Sequence, residues 1–266
     1  MQDILDQTWR MKWTRDRKMD PAAKVPTRGA VLNVLRVENH EAFGRYWNFL
    51  CSARSNMSAI EPFQVQTDAI DIIEASHTGL DQSVNEKYLF HGTNPVAADS
   101  IARTDFDMER AGSAVGTMFG PGVYLAENAS KSDEYAKEGD GIFVGQYALL
   151  LCRAVAGRVF TVEEKGDQSE AVYSGKYDSV CGDRLAAVGT FREMIFFNSD
   201  QIYTEYIVLY RREYADDEEV ARKKAAAEAE ATRKRAAEEK KRAEAEAAKK
   251  RAEAEAKAAA EEARRR

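Results

Sequence analysis

The apolar positions of the chain fall into two regimes that meet near residue 79. In the first, "AVLNVLRVEN" from Ala30 reads as a β-rich run. It is followed by "HEAFGRYWNFLCSARSNM", where Phe43, Tyr46, Trp47 and Leu50 recur at helical spacing. A second helix is predicted in "QTDAIDIIEAS", with Ala69, Ile70, Ile72 and Ile73 clustered on one side. After the Gly79 turn, short apolar runs alternate with Gly, Asn and Asp. "KYLFHGT", "GVYLAE", "GQYALLLCRAV", "REMIFF" and "EYIVLYR" each predict a strand, with short helices at "NPVAADSIA" and "SKSDEYAK". The connections are too short for repeated strand-helix-strand crossovers, so the pattern predicts an antiparallel α+β domain. The first 28 residues are polar, with two Trp and two Pro, and predict an irregular lead-in.

Composition changes the picture at the far end. From Glu218 onward the chain is Ala, Glu, Lys and Arg, with Val220 and Thr232 as exceptions. Glu precedes a basic residue by four positions at Glu219/Lys223, Glu230/Lys234, Glu238/Arg242, Glu246/Lys250, Glu253/Lys257 and Glu262/Arg266. Such pairs support an isolated helix, and apolar a and d positions for a coiled coil are missing. A solvated single helix about 70 Å long is predicted, the other reading being partial disorder. The organisation expected is a lead-in (1–28), one domain (29–214) and a charged helix (215–266).

Charge divides along the same line. Residues 218–266 hold 16 basic and 12 acidic side chains, a net of +4, which leaves −10 of the total −6 on the rest. A domain that acidic is not expected to bind nucleic acid directly, apart from the local basic patch "WRMKWTRDRK". Cys51, Cys152 and Cys181 are widely spaced and read as reduced thiols. Neither they nor His40, His77 and His91 have metal-ligand spacing, so no metal is expected. No signal peptide or membrane-spanning run is apparent, and the expected location is cytoplasm or nucleus.

One residue does not fit a plain strand. In "YTEYIVLY", alternation puts Glu205 on a face with Ile207 and Leu209, while Tyr206, Val208 and Tyr210 share the other. Both faces look buried, and a carboxylate without partners is costly there. Either Glu205 is an edge charge at the strand's start, or something holds it.

Three stretches in order bear on that choice: "YLFHGT" (Tyr88 to Thr93), "GTMFGPGVYLAENASKSDEYA" (Gly116 to Ala136) and the strand containing Glu205. Together they resemble the catalytic domain of the poly(ADP-ribose) polymerase family, the diphtheria-toxin-like ADP-ribosyltransferases, from about Val31 through Arg211. The resemblance implies a split antiparallel sheet and NAD as co-substrate. It implies a His91, Tyr124, Glu205 triad, in which His91 bonds the adenine-side ribose, Thr93 supports it, and Glu205 steadies an oxocarbenium-like transition state. Gly92 would bind the nicotinamide carboxamide through its backbone, which a missing Cβ permits. Ser132 would bond the carboxamide oxygen, Tyr124 and Tyr135 would flank the ring, and Lys131 would lie near the ribose.

Ser130 and Asp133 have capping-box spacing, which predicts a helix start there. The loop from Phe106 to Thr117 is expected on the adenosine side, with Arg110 as a candidate phosphate contact. "AVYSGKYDSVCGDRLAAVGTFREM" is the expected acceptor-side loop. By resemblance the chain transfers ADP-ribose to protein acceptors, itself among the candidates, with chain elongation and single transfer both open. The rival readings are a silent module that binds NAD or ADP-ribose, and a scaffold in which the charged helix is a spacer.

Overall fold

The computed structural model describes residues 1–19, 24–56, 60–70, 79–111 and 117–215. The chain divides into two compact units, Met1–Tyr214 and Ala215–Arg266. Apart from Ala215, the segment expected to form a long charged helix lies outside the described residues.

Among the described residues, eight strands form one sheet: β1 (Arg28–Arg36), β2 (Glu86–Thr93), β3 (Val123–Ala126), β4 (Tyr147–Val155), β5 (Val159–Val162), β6 (Ser179–Asp183), β7 (Arg192–Phe196) and β8 (Ile202–Glu213). Their spatial order is β1-β8-β4-β2-β3-β7-β6-β5. Every pairing is antiparallel except β5 with β6, so the mixed α+β class holds with one parallel pair added.

The helices are α1 (Gln2–Thr8), α2 (His40–Asn56), α3 (Pro95–Thr104), α4 (Ala129–Asp133), α5 (Ser169–Tyr173) and α6 (Arg184–Val188). α3 starts where the chain supplies both signals for it, since the Asn94 side chain accepts from the Ala97 N–H and Pro95 occupies the first turn.

β4 explains its own composition. It lies between β2 and β8, and both of its faces are covered, so "ALLLCRAV" is apolar at consecutive positions rather than alternating. On one side Leu150 and Cys152 pack with Leu89, Phe106, Ile207, Leu209 and Ala98 of α3. On the other, Leu149 and Leu151 pack with Tyr88, Phe90, Tyr206, Val208, Tyr210, Ala129 of α4, and Ile4 and Leu5 of α1.

Three expectations are corrected. The lead-in is not irregular throughout: α1 buries Ile4, Leu5 and Thr8, a stripe too short to register as periodicity. Burying Leu5 alone stabilises the docking by about 1.5–3 kcal/mol. Of the helix expected over "QTDAIDIIEAS", Gln66–Ala69 form a 3-10 turn instead, and the rest from residue 71 lies outside the described residues. The expected acceptor-side loop holds the end of α5, then β6, α6 and the start of β7. There Asp183 caps α6 through the Ala186 N–H, and Gly189, at φ +73°, ends it.

Candidate active site

β2 and β3 are paired at one position only, Phe90 with Ala126. Beyond it the two strands no longer satisfy each other's backbone, and the His91 ring takes up the slack, its Nδ1 3.0 Å from the Tyr124 carbonyl oxygen. Burial pushes the His91 pKa down, which favours the neutral ring. Phe106 meets that ring edge-on, with centroids 5.1 Å apart.

Immediately after His91 the backbone of α4 presses against β2. A Cβ on Gly92 would overlap the Ser132 carbonyl oxygen, so glycine is demanded by close approach rather than by dihedral angle. The Ser132 hydroxyl is buried and donates to the Phe90 carbonyl at 2.8 Å. Gly92 and Ser132 are therefore neighbours. Thr93 ends β2, paired with Ala148.

Tyr124 is half-buried on β3, with its hydroxyl accepting from Phe119 N–H (2.9 Å) and donating to the Gly120 carbonyl (3.0 Å). Burial, with Glu193 and Asp167 nearby, pushes its pKa to about 12. On α4 the expected capping box does not form: Asn128 is the N-cap residue, Ser130 Oγ accepts from the Arg10 N–H, and Asp133 accepts from Tyr210 and Arg212. Asp133 is drawn away because it is fully buried and must be paired with the Arg17 and Arg212 guanidiniums.

Lys131 is the hub of a charge cluster. Its Nζ lies 2.8 Å from Asp16, 2.8 Å from Glu134, 3.1 Å from the Tyr135 hydroxyl and 3.7 Å from Glu193. Burial lowers its pKa, but the carboxylates of Glu193, Glu134 and Asp16 outweigh burial and hold the ammonium firmly charged. For Glu193 and Glu134 burial wins over the attraction of Lys131, and both carboxyls titrate above their usual range. Glu193 in turn helps push up the Tyr124 and Tyr135 hydroxyls, behind burial in each case.

Glu205 is somewhere else. The β4–β8 register runs Leu151 with Tyr206 and then Cys152 with Thr204, which leaves Glu205 as the extra residue of a bulge. The bulge breaks the alternation expected from sequence, so Glu205 does not join Ile207 and Leu209. It accepts a 2.7 Å hydrogen bond from Tyr88, a residue packed with Tyr206, Val208 and Tyr210. None of its hydrogen bonds reaches His91, Tyr124, Lys131, Ser132 or Tyr135.

β4, β2 and β3 lie between β8 and β7, and β4 alone lies between β8 and β2, whose Tyr88 reaches Glu205. Glu193, by contrast, pairs with Ala126, which pairs with Phe90, the residue that takes the Ser132 hydroxyl. The carboxylate of β7 beside Lys131 is thus one that sequence reading passed over. Its signal was present: "REMIFF" is a buried strand with a charge in it, the same anomaly noted at Glu205.

Arg110 pairs with Asp107 at 3.1 Å on an exposed turn, and residues 112–116 of its loop lie outside the described residues. Phe106, from the same loop, does reach His91. Among the described residues no group of three or more His, Cys, Asp or Glu is placed to hold a metal ion, and no helix is long and apolar enough to cross a membrane.

Residues 18–188 match the Poly(ADP-ribose) polymerase catalytic domain. The chain belongs to that family. Relatives of this PARP-family domain include the human Protein mono-ADP-ribosyltransferase PARP12, 29% identical over 136 residues, covering 48% of this chain and 18% of the relative. Another is the mouse Protein mono-ADP-ribosyltransferase PARP11, 24% identical over 206 residues, covering 70% of this chain and 54% of the relative. A third is the Poly [ADP-ribose] polymerase tankyrase of Caenorhabditis elegans, 32% identical over 80 residues, covering 30% of this chain and 3% of the relative. The chain spans about a fifth of human PARP12 and about half of mouse PARP11. The family match ends before both Glu193 and Glu205.

Proposed function

We propose that the chain transfers ADP-ribose from NAD to protein acceptors, releases nicotinamide, and uses Glu193 as its carboxylate in place of the Glu205 suggested by sequence. The observation that carries this reading is the buried Glu193 beside Lys131, on the strand next to Tyr124, while Glu205 is spent on Tyr88. The Gly92 backbone and the Ser132 hydroxyl take the carboxamide, and the Tyr124 and Tyr135 rings flank the nicotinamide. His91, neutral, bonds the adenine-side ribose, with Thr93 beside it. Arg110 is the candidate phosphate contact.

The bond between ribose C1′ and the nicotinamide nitrogen breaks with its electron pair going to nicotinamide, which leaves neutral. The positive charge stays on the ribose as an oxocarbenium, and Glu193 stabilises it where it develops. An acceptor nucleophile then forms the new bond at C1′, and its proton passes to the Glu193 carboxylate, which burial has made a better base than an exposed glutamate.

Single transfer is the reading the names of the PARP12 and PARP11 relatives favour. Elongation is the second reading, favoured by a glutamate at the site and by the tankyrase relative. The test is incubation with NAD labelled on the adenylate, followed by a denaturing gel. A discrete labelled band means single transfer and a high-mass smear means elongation. Glu193→Gln is expected to lose the label and Glu205→Gln to keep it, and the reverse pattern would overturn the assignment. If wild type takes up no label yet binds NAD, the silent-module reading replaces this one.

A further inference from the structure

The segment before β1 does more than lead in. From Trp9 to Arg17 it runs across α4 to the residues just ahead of Glu193. Trp9 is pinned by its ring N–H to the Pro26 carbonyl, and the Arg10 N–H donates to Ser130 Oγ at 2.9 Å. Lys12 Nζ donates to the Gly189 (2.7 Å) and Thr190 (3.1 Å) carbonyls and stands over the Phe191 ring. Thr14 donates to Glu134 at 2.6 Å, and Arg17 donates to the Ser130 carbonyl and pairs with Asp133, each at 2.8 Å. Along this stretch Lys12 and Thr14 turn inward while Met11 and Trp13 are exposed.

Near its end a single oxygen of the exposed Asp16, Oδ2, accepts from both Lys131 Nζ (2.8 Å) and the Tyr135 hydroxyl (3.1 Å). We propose that residues 9–17 are a strap that completes the nicotinamide pocket, and that Asp16 is a positioning residue for Tyr135 and Lys131. The proposal rests on the reading of the pocket given above. Two consequences follow from the geometry. A ring whose hydroxyl is tied at its far end has a fixed long axis, so less ordering is left to be done when nicotinamide stacks on it. Asp16 and Glu134 also take the close contacts of the Lys131 ammonium and hold it 3.7 Å from Glu193. Without Asp16 the ammonium keeps Glu134 and Glu193 as partners but is no longer positioned from the strap side.

The test compares the full chain with Asp16→Ala, Asp16→Asn, Asp16→Glu and Lys12→Ala, using nicotinamide binding, kcat for NAD consumption and thermal midpoint as readouts. Asp16→Ala is expected to weaken nicotinamide binding about tenfold and to lower kcat, because a charge-assisted hydrogen bond is lost. Asp16→Asn keeps an acceptor for Tyr135 but no charge for Lys131, so binding is expected within about twofold of wild type while kcat falls. Asp16→Glu is expected to recover part of both. Lys12→Ala frees the strap's far anchor without touching the pocket, and is expected to weaken nicotinamide binding about threefold.

The proposal is overturned if the Ala and Asn variants match wild type in both binding and kcat, if all losses track the thermal midpoint, or if Lys12→Ala binds as wild type does. If wild type binds nicotinamide but transfers nothing from NAD, the transfer reading fails while the binding series still supports the strap. If wild type binds no nicotinamide, both fall.

Discussion

The carboxylate of Glu193 stands 3.7 Å from the ammonium of Lys131, one strand over from Tyr124 and on the side of the sheet that α4 covers. Glu193→Gln is expected to lower kcat by about a hundredfold or more, since one preorganised charge at the developing cation is removed. Glu205→Gln is expected to leave kcat within about threefold, because a carboxamide oxygen still accepts from Tyr88. Steady-state NAD consumption by the two variants checks the pair.

The same carboxylate has an opposite effect on stability. Burial raises the folded pKa of Glu193 above its ordinary 4.5, with Lys131 opposing the shift. A raised folded pKa means the folded state binds the proton more tightly, so the stability it contributes is full below the unfolded pKa and is lost as pH rises through the folded one. Holding Glu193 ionised at neutral pH therefore costs stability. Glu193→Gln is expected to melt at or above wild type near pH 7.5, with the advantage shrinking as pH falls toward 4.5. A variant that melts well below wild type at pH 7.5 would mean the pairing with Lys131 outweighs burial. The acid limb of kcat should also lie above the ordinary glutamate range in wild type.

Tyr88→Phe removes the hydroxyl that donates to Glu205 and leaves a buried carboxylate short of its partner. A loss of about 1–3 kcal/mol is expected in urea unfolding, with kcat of the folded fraction unchanged. A large fall in kcat at unchanged stability would return Glu205 to the chemistry.

Gly92→Ala is expected to fail in two ways at once. The added methyl meets backbone, not a flexible side chain, so α4 must shift, at about 1–3 kcal/mol. Nicotinamide binding should fall with it, read by calorimetry at a temperature where the variant remains folded.

The thiols give a check on the core. Burial pushes Cys152 and Cys181 up to about 12, whereas Cys51 is half-exposed on α2. Brief alkylation of the native chain at pH 8 should add one label, at Cys51, by mass spectrometry, and three after unfolding.

Much of the site was legible because it is local. "YLFHGT", "GVYLAE" and "SKSDEYA" place His91 and Gly92 on a strand, Tyr124 on a second, Lys131 and Ser132 on a short helix and Tyr135 in the turn after it, and the structure gathers Gly92 with Ser132 and Lys131 with Tyr135. What escaped were features whose cause is non-local. α1 exists because Leu5 finds a sheet face to cover, and β5 and β6 pair across an intervening helix. The strap is invisible in sequence because Asp16 and Lys131 are far apart along the chain.

The carboxylate draws the line between the two levels. The sequence by itself determined six of the eight strands, the short helix bearing Lys131, and that two buried strands each carry a glutamate, since periodicity and burial follow from local side-chain chemistry. Which glutamate lies beside Lys131 was decided only by tertiary structure. A bulge of one residue in β8 breaks the strand's alternation at Glu205, which takes the Tyr88 hydroxyl, and strand order sets β7 beside β3, bringing Glu193 to Lys131. Neither register nor strand order is written in any single segment, because both are set by pairing between segments distant in the chain.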